Sequence, residues 1–92
     1  MNQTSTNTNG HAGSLNTLMQ VAATFVMQGK HADAVLVYDR IIEQSPAFAI
    51  AYYERGRARH LAGDTRGAME DLKRALQLDA SLAVSVTGEF AN

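Results

Sequence analysis

Shifted by thirty-four residues against itself, the chain lines up at points that matter for packing helices. Gly29 falls on Gly63, Ala34 on Ala68 and Arg40 on Arg74. Residues of like size meet elsewhere: Ala22 with Gly56, Leu18 with Tyr52, Tyr38 with Leu72, Ile42 with Leu76. A period of this length restricts the chain to stacked copies of one supersecondary unit, because each unit has an apolar face that only a neighbour can cover. With 92 residues there is room for a single domain. Folding at that size buries roughly 60–65% of the unfolded surface, so the stability margin is expected to be thin.

Each unit reads as two helices. In the second, Pro46 opens a segment that ends in "HLAGDTRG". Proline is favoured in a first helical turn, and Gly63 stands where a helix would stop in a left-handed cap. Asp64 or Thr65 can then cap a helix whose body is "RGAMEDLKRALQLD". Leu72, Ala75 and Leu76 share one face of it at 3.6-residue spacing, and Glu70 with Arg74 makes an i,i+4 pair on the other side. The first unit repeats the pattern. A helix is expected near residues 14–28, then a break at Gly29-Lys30, then a helix over 31–44 with Ala34, Val37, Tyr38, Ile41 and Ile42 inward. Ser45-Pro46 ends it, since a residue before proline avoids helical geometry. Two helices crossing at about 8–10 Å leave no space for bulk at the closest point. Ala22 and Ala34, and in the second unit Gly56 and Ala68, supply the small residues.

On these residues the chain resembles the tetratricopeptide repeat family over residues 15–82. Tyr52 takes the family's large aromatic position and Gly56 its small one, Gly63-Asp64 forms the inter-helix turn, and Ala68, Leu72 and Ala75 form the second-helix core. Ala80 stands where the family usually has proline. In the first unit Leu18, Ala22, Phe25, Gly29, Ala34, Tyr38, Ile41 and Pro46 fit more loosely. The resemblance implies an all-α fold, an α-solenoid of two antiparallel helix–turn–helix repeats at 15–48 and 49–82. A disordered head over 1–14 precedes them and a short capping helix or tail over 83–92 follows, with Leu82, Val86 and Phe90 inward. The head "MNQTSTNTNGHAGS" has too little apolar area to offset its ordering entropy.

One stretch raises the question of function. "LNTLMQVAATFVMQG" carries no charge, and all seventeen charged residues lie between Lys30 and Glu89. On a helix, Leu18, Val21, Ala22 and Phe25 form one face and Met19, Ala23, Val26 and Met27 another. The resemblance turns that second stripe toward a concave groove, with Ile50, Tyr53, Arg57, His60 and Leu61 as its second-unit counterparts. A helix apolar on two faces is expected to be buried on two sides, and methionine suits an adaptable binding floor. The expected function is therefore a non-catalytic interaction module that takes up a protein or peptide segment on this floor. Two units fall short of the three a stable array usually needs, so self-association is expected as well, as a homodimer with or without an exchanged helix. The alternative is a self-assembling structural unit with no foreign ligand.

Other constellations point away from chemistry. There are no cysteines, so no disulfides or thiolate metal sites can form. His11, His31 and His60 have no i,i+4 partner, and no metal or other cofactor is expected. Asp33, Asp39, Asp71 and Asp79 read as helix-surface or cap charges, and no nucleophile–base pair is apparent, so an enzyme is not expected. A net charge of −1 gives no footprint for nucleic acid or an anionic membrane. The run "ERGRARH" is thin for phosphate binding and reads as a solvated face, with Arg55 and Arg59 pointing one way and Arg57 another. Arg57 beside Tyr53 and His60 could also receive a carboxylate. Some relatives in the resembled family grip a terminal carboxylate. Here Met19 and Ala23 fill positions that grip would need polar, so it is not carried over. The cytoplasm is the expected compartment.

Overall fold

The computed structural model describes residues 10–84. Within them the chain forms four α-helices and no strand: α1 (Gly10–Met27), α2 (His31–Gln44), α3 (Ala49–Leu61) and α4 (Thr65–Leu78), followed by a 3₁₀ turn at Ala80–Leu82. The fold is all-α as the periodicity requires, and each helix packs on the one before it in the chain. Helix α1 starts at Gly10, upstream of the expected residue 14. The remainder of the expected head, residues 1–9, and most of the expected capping segment, 85–92, lie outside the described residues.

The two turns within the units are built alike. Gly29 and Gly63 both adopt positive φ, 78° and 92°. In the first turn the Gly29 N–H donates to the Val26 carbonyl and the Lys30 N–H to the Phe25 carbonyl, at 3.0 and 2.8 Å. In the second, Gly63 and Asp64 donate to His60 and Arg59 at the same two distances. This is the Schellman closure, in which a left-handed glycine lets two late amides satisfy helix-end carbonyls. The helix starts differ. Asp64 caps α4, its carboxylate accepting from the Gly67 N–H at 2.9 Å. Neither Lys30 nor Phe48 makes a side-chain cap for α2 or α3. Helix α3 begins at Ala49 rather than at Pro46. The proline sits in the preceding turn, where its carbonyl accepts from the Tyr52 hydroxyl at 2.8 Å.

Packing depends on close approach more than on bulk. Of the ten buried apolar residues described, six are alanine, and the largest side chain fully removed from water is Ile41. A first cluster joins Ala22 of α1, Ala34, Tyr38 and Ile41 of α2, and Ala51 and Ala58 of α3. A second joins Tyr53 of α3 with Leu72 and Ala75 of α4, with Tyr52 and Leu82 alongside. Gly56 lies where α3 meets α4. A methyl group there would stand 3.2 Å from both the Ala68 carbonyl oxygen and the Asp71 Cβ. The small-residue positions legible in the sequence are thus the points of helix contact.

Candidate interaction surface

The uncharged helix places its residues in three settings. Ala22 is fully buried, and Leu15, Leu18 and Phe25 pack beside it. Met19 and Val26 are half-buried against the same cluster. Ala23 is exposed, and Met27 stands 86% exposed. Of the second-unit counterparts, Leu61 is 51% exposed, His60 is exposed, and Ile50 and Arg57 are half-buried. Tyr53 is the outlier at 6% exposure. Its ring is committed to Leu72 and Ala75 rather than offered to a ligand.

A polar edge accompanies this apolar floor. Arg57 donates to Glu54 at 3.0 Å, one helical turn apart. Both groups act on Tyr38, whose hydroxyl is pushed up to about 12, first by burial and next by the negative charge of Glu54, while Arg57 pulls the other way. At neutral pH Tyr38 is therefore a neutral phenol beneath an ion pair. Arg57 keeps its cationic charge, but shares it with Glu54.

Asp71 and the basic run behave otherwise than their sequence pattern implies, whereas Asp33 is exposed and Asp79 caps a turn as that pattern leads one to expect. Asp71 is no surface charge, being 3% exposed. Arg55 donates to both of its carboxylate oxygens, from Nε at 2.9 Å and Nη2 at 2.8 Å, and its Nη1 donates to Asp39 at 2.8 Å. Arg59 adds a bond from Nη1 to Asp71 at 3.0 Å. So "ERGRARH" is not simply a solvated face: Arg55 and Arg59 do point the same way, and they point inward. One guanidinium ties α2, α3 and α4 together, in the two-pronged geometry that makes arginine–carboxylate pairs strong. The bonds to Asp71 hold Arg55 above its ordinary pKa against the opposing effect of burial. The signal was present in the sequence. Asp71 lies on the face of Ala68, Leu72 and Ala75, and arginines at 55 and 59 are one turn apart. Asp39 takes part in this network, and Asp79 caps the following turn by accepting from the Ser81 N–H at 3.0 Å. Arg74 extends toward Gln77 and over the Tyr52 ring.

A second apolar surface went unread in the sequence. An open groove of about 480 Å³ runs along α4, lined by Ala68, Met69, Leu72, Lys73 and Leu76 with His60 and Thr65 at its edge. Met69 is 65% exposed there. Among the described residues no group of three metal-ligating side chains comes together, and no helix is long and apolar enough to cross a membrane. The Nδ1 of His31, at the start of α2, is buried without a hydrogen-bond partner. No protein-family model matches the chain, and no curated protein matches it either.

Proposed function

We propose that this chain is a non-catalytic protein-interaction module of tetratricopeptide-like, α-solenoid design, working in the cytoplasm. Its binding face comprises Met19, Ala23, Val26 and Met27 of α1 with Ile50, Arg57, His60 and Leu61 of α3. The observation that carries the reading is the exposure of Met27 on a helix whose segment 15–29 has no charge. Large apolar side chains left in water beside other apolar surface mark contact sites on soluble proteins. The Glu54–Arg57 pair gives the floor a polar rim that can select among apolar segments.

Met19 and Val26 also support the core, so a charge placed there would confuse folding with binding. The decisive variant is Ala23→Glu with Met27→Glu, both at exposed positions. A protein captured by the wild-type chain is expected to be lost on this double variant while helical content is unchanged. Capture that is indifferent to the two charges would remove the face from consideration. A self-assembling unit with no foreign ligand is the second reading, and the open groove along α4 favours it.

A further inference from the structure

We infer that the groove along α4 receives α1 of a second copy of this chain, joining molecules head to tail so that the internal repeat continues from one to the next. The inference deepens the self-assembly reading and shares with the Met27 face only His60, at the groove's edge; the variants that test the two surfaces are at different residues, so either can fail alone.

The groove has an occupied counterpart inside the same molecule. Moved back thirty-four residues, Ala68, Leu72, Lys73 and Leu76 become Ala34, Tyr38, Asp39 and Ile42 of α2. That side of α2 is covered by α3. Ala51 and Ala58 are fully buried in one cluster with Ala34 and Tyr38, Glu54 and Arg57 perturb the Tyr38 hydroxyl, and Arg55 reaches Asp39. The covering face of α3 is thus Ala51, Arg55 and Ala58. Along α4 the same face is present and no described helix covers it: Met69 stands in water where its equivalent Val35 is half-buried.

Helix α1 has the shape and chemistry of the missing cover. Moved forward by the same interval, Thr17, Val21 and Thr24 fall on Ala51, Arg55 and Ala58. All three are exposed, along one strip that flanks the α1 core face of Leu18 and Ala22, with Val21 on its border. Thr17 and Thr24 are each two heavy atoms larger than Ala51 and Ala58, so α1 would lie in the open groove at a slightly greater separation than α3 keeps from α2. The remaining position decides which helix fits. Where α2 offers Asp39 to an arginine, α4 offers Lys73, and another arginine would meet a like charge there. Val21 brings no charge and can lie along the lysine's aliphatic stem. A helix of the α3 kind is therefore disfavoured in the groove and α1 is accepted.

Contacts of this type use different surfaces on the two partners and need not close, so the assembly grows with concentration. Sedimentation analysis from micromolar to millimolar protein should show an average mass that climbs past the dimer. Val21→Arg, at a position 38% exposed, should weaken association by more than about tenfold, since it sets a like charge on Lys73. Val21→Arg combined with Lys73→Asp should assemble again, because it recreates between molecules the Arg55–Asp39 pair found within one. That recovery also shows that the first variant folds. A wild-type chain that stays monomeric throughout, a fixed dimer untouched by Val21→Arg, or a double variant that does not reassemble would each overturn the inference.

Discussion

Asp71 and Tyr38 are the two residues on which burial and charge bear most heavily. Asp71 satisfies two guanidinium groups at once, so Asp71→Ala strips Arg55 and Arg59 of their most buried acceptor and leaves them only the more exposed Asp39 and Asp64. Removing one partner of a fully buried pair costs about 3–5 kcal/mol, and the acceptors that remain here place this variant at the low end of that range. The denaturation midpoint of this variant should fall accordingly, far below that of Asp33→Ala, which removes an exposed carboxylate. Tyr38 gives a dependence on alkaline pH. Its pKa is raised to about 12 in the folded state, against about 10 in the unfolded chain. Below the lower value the phenol is protonated in both states and its contribution is complete. As pH rises toward about 12 the unfolded state loses the proton first, and that contribution is lost. Comparing wild type with Tyr38→Phe across that range should isolate a difference on the order of 2 kcal/mol. A parallel pH dependence in both proteins would refute the assignment.

At the scale of elements, the turns and crossings are where sequence and structure agree most closely. Glycine can take the left-handed angle without penalty. Positions 29 and 63 announce themselves for that reason, and they end their helices with matching hydrogen bonds. Gly56 is read the same way but tested differently. Alanine there would gain about 1 kcal/mol in helix propensity. Yet its methyl would press on the Ala68 carbonyl, which belongs to a packed helix and cannot turn aside. Gly56→Ala is therefore expected to destabilise by about 1–2 kcal/mol, as thermal unfolding would reveal; a gain in melting temperature would show the crossing to be looser. Asp64→Ala should cost about 1 kcal/mol by leaving the Gly67 amide without its acceptor. The charged partners were harder to read. Periodicity sorts residues by face but does not say which opposing helix a face meets, so the inward position of Asp71 is legible in the sequence while its pairing with Arg55, sixteen residues away, is not. Tyr53 was misplaced for a related reason. It borders both the groove side of α3 and the side facing α4, and contact with Leu72 and Ala75 settles it inward.

Across the whole molecule, helices held by alanine contacts and one arginine leave more apolar surface than the described chain shelters. Two parts of that excess bear on function: the Met27 face, legible in the sequence as a run without charge, and the groove along α4, whose equivalent on α2 is occupied by α3. The same lack of charge lets α1 be buried on two sides without stranding an ion. Met27 reports whether this face is covered, because an exposed thioether oxidises readily and a covered one resists. Oxidative footprinting should find Met27 reactive in dilute purified protein, and protected several-fold in the protein as it stands in the cell. Equal reactivity in both settings, or protection already present in the dilute isolated chain, would mean that no second molecule covers this face.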